Sequence, residues 1–353
     1  MTLAESLRWL FTLPYEAIVR LRACAYRNGV LRPRRLDGVV ISVGNLTTGG
    51  TGKTPMVLWI AQRLLAEGKS TGILTRGYGG RTTAAGSTSD EVQLLQSRLG
   101  DSVAFGVGAG RFARGRELEK RGVKWFVLDD GFQHQKLKRD VDIVLIDATN
   151  PFGGGLLLPT GRLREPRSAL SRADIVAITR SEHAPAIEAA VRRESDAPIF
   201  YARAQFDGIL PEPAAQYATP AELAARRSGG EGGSPVLLHV QQSRLFVFCG
   251  IGNPSAFLAD VRDWNYKIVG HKFLPDHHRY TARDMQAIEA EAIRANATVL
   301  VCTEKDVFNL PDAPRGSLGI HYLRMKLHID REDDLWRTVL AVAERRSNST
   351  KKP

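Results

Sequence analysis

The sequence predicts an α/β fold: a mostly parallel β-sheet with helices on both faces, a smaller C-terminal α/β subdomain and an amphipathic helix at the N-terminus. Three observations predict it. Short apolar runs, each long enough for one buried strand, alternate with stretches of helical periodicity, the pattern of a parallel sheet covered on both sides. A glycine-rich segment, residues 44–55, stands between one such run and one such helix. An apolar helical stripe and a cluster of arginines share the first 35 residues. At 353 residues the chain is long enough for a large core and two subdomains, and 43% hydrophobic with 25% charged residues is the balance of a soluble globular protein.

In the N-terminal segment Leu3, Leu7, Leu10, Phe11, Ile18 and Leu21 recur at three- and four-residue spacing, with Trp9 and Tyr15 as amphipathic rings. Pro14 is expected to kink or split this helix. The chain has a formal net charge of +11. Residues 1–35 hold seven arginines (Arg8, Arg20, Arg22, Arg27, Arg32, Arg34 and Arg35) against Glu5 and Glu16, a local excess of +5. Charge gathered in one terminal helix points away from nucleic acid and toward an anionic membrane surface. No uncharged run here reaches about 18 residues, so no spanning helix is predicted. Arg8 falls where a signal peptide needs its apolar centre. A helix that only packs on the domain satisfies the same stripe.

Residues 39–43 read as a strand and a helix is predicted over about 53–67. Between them runs Gly44-Asn45-Leu46-Thr47-Thr48-Gly49-Gly50-Thr51-Gly52-Lys53-Thr54-Pro55. Strand, glycine-rich loop and helix N-terminus together make an anion cradle of backbone N–H groups. Thr47, Thr48, Gly49, Gly50, Thr51, Gly52, Lys53 and Thr54 are therefore the predicted nucleotide-binding residues. Lys53 reaches the β- and γ-phosphates and the Thr54 hydroxyl holds Mg2+. Pro55 suits a first helical turn. The strict loop pattern has glycine where Thr47 stands. Residues 49–54 look more like the Gly-Gly-x-Gly-Lys-Thr loops of partition ATPases and signal-recognition GTPases, so the fold class is P-loop NTPase-like.

Residues 71–75 read as a strand leading into Arg76-Gly77-Tyr78-Gly79-Gly80, and the polar stretch 81–89 reads as loop. Asp90 and Glu91 open a helical run with Val92, Leu94, Leu95 and Leu99, and Asp90 by itself reads as its N-cap. Strands are predicted at 123–128, running into Asp129 and Asp130, at 141–146, ending at Asp147, and at 174–179. Ligands gather at the carboxyl ends of such strands, where the loop, Arg76, Asp129 and Asp147 lie. Residues 208–235, with Ser228-Gly229-Gly230-Glu231-Gly232-Gly233, read as an insertion or linker. Strand signals resume at 245–249 and 298–302, and the polar tail from Glu344 is expected to fray. The predicted divisions are 1–35 (basic helix), 36–207 (nucleotide-binding core), 208–235 (linker), 236–343 (C-terminal subdomain) and 344–353 (tail). Cys24, Cys249 and Cys302 form no disulfide framework or zinc spacing, in keeping with a reducing compartment.

Several other residues carry chemistry. Asp129 or Asp130 stands where phosphate-loop enzymes place a Mg2+-coordinating or water-positioning acid, although a turn acid reads the same way. In Asp276-His277-His278 the adjacent histidines point different ways and have no third ligand nearby, which discounts zinc. A histidine beside a carboxylate suits general-base work, or merely a surface turn. Arg162-Leu163-Arg164-Glu165-Pro166 is an anion clamp or a solvated loop. Thr303-Glu304-Lys305-Asp306 is not the Asn/Thr-Lys-x-Asp order that reads guanine, which weakens a GTPase reading.

Together these segments resemble the tetraacyldisaccharide 4′-kinase family, lipid A pathway enzymes that phosphorylate a membrane-embedded disaccharide with ATP. The resemblance covers most of the chain. It includes the basic N-terminal helix, residues 44–55, Arg-Gly-Tyr-Gly (76–79), Asp-Glu (90–91) and Asp-Asp-Gly-Phe-Gln-His (129–134). It continues through Leu-Leu-Pro-x-Gly-x-Leu-Arg-Glu-Pro (157–166), Gly-Ile-Gly-Asn-Pro (250–254), Phe-x-Pro-Asp-His-His-x-Tyr (273–280) and Thr-Glu-Lys-Asp (303–306). The family's Gly-Asp-Glu-Pro is here Ser89-Asp90-Glu91-Val92.

The resemblance implies an ATP- and Mg2+-dependent kinase acting on the 4′-hydroxyl of a tetraacylated glucosamine disaccharide 1-phosphate. Asp90 is then the base and His277 its partner. Thr54, Asp129, Asp130 and Glu165 surround the metal and the transferring phosphoryl, and Tyr78, Arg111 and His134 position phosphate or the lipid head group. The subdomain around 245–330 closes over the site and brings His277 to Asp90. The implied partners are the lipid A precursor and an anionic membrane surface, with no nucleic acid and no obligate protein partner. The implied place is peripheral, on the cytoplasmic face of the inner membrane of a Gram-negative-type bacterium. A membrane-associated partition- or targeting-type NTPase shares the loop and the helix. Such proteins usually carry a lysine early in the loop, where Thr48 stands, and they give Asp90 and His277 no shared role.

Overall fold

The computed structural model describes residues 3–77, 81–83, 86–211, 243–311 and 316–349. In chain order the elements are α1 (Leu3–Arg27), β1 (Val39–Asn45), α2 (Lys53–Ala66), β2 (Thr71–Thr75), β3 (Arg81–Thr83), β4 (Gly86–Thr88) and α3 (Asp90–Leu99). Then come β5 (Val103–Val107), α4 (Arg111–Glu119), β6 (Trp125–Asp129), β7 (Val141–Asp147), β8 (Ile175–Thr179), α5 (Pro185–Arg192) and β9 (Ile199–Pro211). The remainder is β10 (Arg244–Cys249), α6 (Pro254–Asp263), β11 (Lys267–Phe273), α7 (Ala282–Arg294), β12 (Val299–Thr303), α8 (Glu304–Val307), β13 (Ile320–Ile329) and α9 (Glu332–Ser349).

The chain forms two compact units. The first comprises Met1–Arg76, Ser102–Arg203 and Leu327–Pro353, and the second Gly77–Asp101 and Ala204–Lys326. Divisions drawn along the sequence cut across these units. Residues 77–101 belong to the second unit, and 327–353 return to the first. Apolar periodicity reports that a segment is buried, not in which core. Of the predicted linker, 208–211 finish β9, while 212–235, including the glycine-rich 228–233, lie outside the described residues.

In the first unit the strands run β9-β8-β7-β1-β6-β2-β5, with parallel pairing throughout. Val40, Ile41 and Val43 of β1 are fully buried, because β1 has a parallel neighbour on each side and covered faces. That is why it reads as a continuous apolar run rather than an alternating one. Strands β2, β5 and β6 lie to one side of β1 and β7, β8 and β9 to the other. The sheet order therefore reverses at β1, and open α/β sheets bind ligands beyond the carboxyl ends of the strands at such a point. Helix α9 continues to Ser349, past Glu344 where the sequence predicts a fraying tail. Leu335 and Val339 bury its inner face, and the Trp59 and Trp336 rings meet edge-on at 5.9 Å. Helix α1 is assigned without a break across Pro14. A mid-helix proline costs about 3 kcal/mol, and contacts on both sides of it hold the helix: Thr12 with Thr160, Tyr15 with Arg164, Arg22 with Gln133.

In the second unit the strands run β11-β10-β12-β13, parallel where they pair. The polar stretch predicted as loop forms a small antiparallel ribbon, with Arg81 opposite Thr88 and Thr83 opposite Gly86. β-branched threonines suit a strand even without an apolar face to reveal it. The N-cap of α3 is Ser89, whose Oγ accepts from the Val92 N–H, so Asp90 is the first helical residue and its carboxylate is left for other partners. Asp306 is 1% exposed and accepts from the Gly250 N–H (2.8 Å), the Tyr280 hydroxyl (2.9 Å) and both the N–H and the hydroxyl of Thr303. Asp306→Ala leaves those donors unpaired in the core. We expect it to cost about 3 kcal/mol or more, read as a lowered urea midpoint at unchanged slope. A midpoint within about 0.5 kcal/mol of wild type contradicts this.

Candidate active site

The phosphate loop leaves β1 at Asn45 and enters α2 at Lys53, and its shape is set by its last glycine. Gly52 caps α2 at φ +85°, a conformation any side chain would strain. The loop is laced to residues 162–164. The Thr48 N–H donates to the Arg162 carbonyl (2.8 Å), the Arg162 guanidinium donates to the Thr48 carbonyl (2.9 Å), and the Arg164 N–H donates to the Leu46 carbonyl (2.7 Å). From β8 the Thr179 hydroxyl donates to the Thr51 carbonyl at 3.1 Å. These bonds hold the Leu46, Thr48 and Thr51 carbonyls and the Thr48 N–H in place.

Lys53 Nζ donates to Asn45 Oδ1 at 3.3 Å and lies 3.6 Å from Asp130. Asp130, at φ +50°, receives two bonds from the Arg164 guanidinium at 2.8 and 3.0 Å. Burial pushes its carboxyl up, but the charges of Lys53, Arg164 and Arg111 prevail and hold it below the usual carboxylate range. Asp129 ends β6 beside β1 and accepts from the Thr75 hydroxyl at 3.0 Å. Glu165 is buried among cations, with Arg172 at 2.6 Å and Arg22 at 3.7 Å, and the Gln135 amide also reaches it. Asp129, Asp130 and Glu165 thus each have partners of their own. Among the described residues no group of three or more His, Cys, Asp or Glu could hold a metal ion.

Arg111 opens α4 and is 6% exposed. Burial, and then the charges of Arg111, Arg139, Lys136 and Arg22, drive His134 down to about 4, so at neutral pH it is an uncharged imidazole among cations. An anionic group brought there meets a positive field. Tyr78 lies outside the described residues.

The second unit holds the other constellation. Asp90 and His277, distant in sequence, meet: His277 Nδ1 lies 3.0 Å from Asp90 Oδ2 and 3.2 Å from Oδ1. The Glu91 N–H donates to Asp90 Oδ1 at 3.0 Å and the Asn309 amide to Oδ2 at 3.4 Å. Lys305 Nζ stands 3.6 Å from Asp90 Oδ2. Burial pushes Asp90 up, but the His277 hydrogen bond, the Lys305 and His277 charges and the Glu91 N–H outweigh it, and its carboxyl lies below the ordinary 3.8. The Asp90 hydrogen bond raises His277 above 6.5 against burial and Lys305. The signs follow. Asp90's contribution to stability is complete above about 3.8 and is lost as pH falls through its depressed value. His277's is complete below about 6.5 and is lost as pH rises through its elevated value. The pair therefore stabilises the fold most between those limits. His278, the adjacent histidine, faces Asp284 at 3.2 Å instead.

The Tetraacyldisaccharide-1-P 4′-kinase family matches this chain over residues 4–344. The chain belongs to this family. Among tetraacyldisaccharide 4′-kinases, that of Syntrophobacter fumaroxidans is 38% identical over 324 residues, covering 84% of this chain and 80% of that one. That of Syntrophus aciditrophicus is 37% identical over 352 residues, covering 94% and 91%. The solved structure of LpxK from Aquifex aeolicus, an "apo" form in complex with ATP, aligns with a TM-score of 0.69 at 25% identity, over 96% of this chain and 99% of that one. In this tetraacyldisaccharide 4′-kinase family member, sequence reasoning passed over Asn45, Thr179 and Asn309 as site residues. Thr179 ends an apolar run and Asn45 stands inside the loop motif, but nothing in a single sequence shows which carbonyl or carboxylate each one meets. Lys305 lies within Thr303-Glu304-Lys305-Asp306, and nothing in the sequence alone says which groups it meets.

Proposed function

We propose that this kinase transfers the γ-phosphate of ATP to the 4′-hydroxyl of a tetraacylated glucosamine disaccharide 1-phosphate, a step in making lipid A. The observation that carries the reading is the 3.0 Å contact between Asp90 and His277. An acid–base pair serves an acceptor hydroxyl, whereas an NTPase that hydrolyses its nucleotide as a switch needs only a positioned water. Lys53 and the loop N–H groups neutralise and orient the triphosphate. Asp90 accepts the hydroxyl proton. A carboxylate is a weak base, but the transition state is loose and the hydroxyl gives up its proton late. Arg111, His134 and Tyr78 position phosphate or the acceptor's head group.

The oxygen donors fit Mg2+, which keeps several waters and takes one or two carboxylates plus phosphate oxygens rather than a full protein cage. The Thr54 hydroxyl and the Asp129 carboxylate are those donors. Asp130 and Glu165, engaged by Lys53 and Arg164 and by Arg172 and Arg22, place these cations around the phosphoryl group. When bound, Mg2+ neutralises charge on the transferring phosphoryl.

The acceptor's acyl chains hold it in a bilayer, so the enzyme must work at the membrane surface. No helix among the described residues is long and apolar enough to cross a membrane. Helix α1 docks on the first unit through Thr12, Tyr15 and Arg22 but leaves Leu13, Ile18 and Leu21 at least 64% exposed. An arginine-rich helix with such a face lies on an anionic surface, here the cytoplasmic face of the inner membrane. We predict that deleting residues 1–25 abolishes co-sedimentation with anionic vesicles, and that salt weakens binding of the intact chain. Binding that survives both the deletion and 1 M salt, where screening acts within about 3 Å, would show that α1 is only a packing helix. The reaction itself is tested by whether the lipid gains one phosphomonoester at the 4′ position. ATP hydrolysis that leaves the lipid unchanged refutes it.

A further inference from the structure

Lys305 is the cation at the centre of the second constellation, and the fold holds it there deliberately. It lies in the short helix α8, which Thr303 and Asp306 close with a reciprocal capping box. The same Asp306 carboxylate receives the Gly250 N–H, and the Gly250 carbonyl in turn receives the His277 N–H at 3.0 Å. Gly250 has no room for a side chain, since a Cβ there would come within 2.9 Å of the Pro275 carbonyl. His277 sits at φ +59°, a conformation few non-glycine residues adopt, and it does so in this clamp. One buried carboxylate thus fixes the backbone of both Lys305 and His277.

The side chains then meet. Lys305 Nζ is 3.4 Å from His277 Nε2, 3.6 Å from Asp90 Oδ2, and 3.9 Å from both Glu91 Oε1 and Asp276 Oδ1. The charged and titratable groups facing His277 are Asp90 from α3, Asp276 from its own loop and Lys305 from α8, while Glu91 faces Lys305. An ammonium has hydrogens to give and no lone pair to offer. Where Nε2 accepts from it, the imidazole proton is left on Nδ1, which faces Asp90.

We propose that Lys305 is a positioning residue of the reaction, which sets a positive charge against His277 Nε2 and so disfavours a second proton there, biasing the Asp90–His277 pair toward the Nδ1–H imidazole. Without it, Nε2 is free to take a proton and become a second donor. Asp90 and Asp276 raise the His277 pKa and prevail, while burial and Lys305 oppose them. The consequence for catalysis rests on Asp90 being the base proposed above, but the state of His277 does not.

The test is a histidine NMR titration of the full chain, with the His277 resonance assigned from His277→Asn. In Lys305→Met the His277 midpoint should move up by about one pH unit or more, and its Nε2 shift near neutral pH should report a protonated nitrogen. Lys305→Arg should hold the wild-type midpoint. Lys305→Gln, which keeps length and polarity without charge, should behave like Lys305→Met and covers the case in which the methionine variant does not fold. The acid limb of kcat should move in the same direction as the midpoint, whereas a merely structural defect lowers kcat equally at all pH values. An unmoved midpoint in both uncharged variants, or one that moves equally in Lys305→Arg, overturns the proposal. If the midpoint moves while wild-type enzyme phosphorylates no lipid, the inference about Lys305 stands and the kinase reading falls.

Discussion

Replacing Lys53 with alanine is expected to slow phosphoryl transfer at least about 100-fold, or ~2.7 kcal/mol of transition-state stabilisation. The reason is local. Lys53 is the cation at the mouth of the phosphate loop, held by Asn45 at 3.3 Å and poised 3.6 Å from Asp130. Charge on the transferring group spreads over its oxygens in the transition state, and a preorganised ammonium there costs no reorganisation. The fold should survive the change, because Asp130 keeps its two bonds from Arg164. The loop keeps its ties to Arg162, Arg164 and Thr179. Circular dichroism and an unfolding curve close to wild type should therefore accompany the loss. A variant that is folded and retains more than about a tenth of wild-type kcat contradicts the role given to the loop.

Asp90→Ala and His277→Ala should each lower kcat by roughly 10^2–10^4-fold, the range for a lost acid–base group. Nucleotide affinity should change far less, since neither residue belongs to the loop. In His277→Ala the carboxylate keeps Lys305, Asn309 and the Glu91 N–H but loses its imidazole partner. If the two act as one unit, the double variant should be little worse than either single one. Rates are to be compared at saturating ATP, with nucleotide affinity measured separately. Fully multiplied losses, or wild-type kcat in His277→Ala, would mean that a 3.0 Å contact in the fold is not a working pair.

Much of this was legible in the sequence, for physical reasons that differ by element. Strands β1, β2, β6, β7 and β8 are buried in a parallel sheet and advertise themselves as apolar runs. The phosphate loop carries its own chemistry in glycine, lysine and threonine. The ribbon β3–β4 was not legible, because its residues are polar and only the cross-strand ladder defines it. Nor was the partition of the chain. Residues 77–101 carry the same helical pattern whichever core they join, yet they place Asp90 in the unit that holds His277. The meeting of Asp90 and His277 was inferred from family resemblance, since 187 residues separate them and no spacing rule spans that distance. For Asp130 and Glu165 the sequence could suggest acids near a metal, but not that Arg164 and Arg172 already occupy their oxygens.

Transfer to a lipid hydroxyl can be followed with a radiolabel. The enzyme is incubated with ATP labelled in the γ-phosphate and with a tetraacylated disaccharide 1-phosphate in mixed micelles, beside the same lipid lacking its 4′-hydroxyl. Label should enter the first lipid and not the second, and Asp90→Ala should slow its transfer at least about 100-fold. Release of labelled inorganic phosphate at the same rate with either lipid, and no label in lipid, would contradict it.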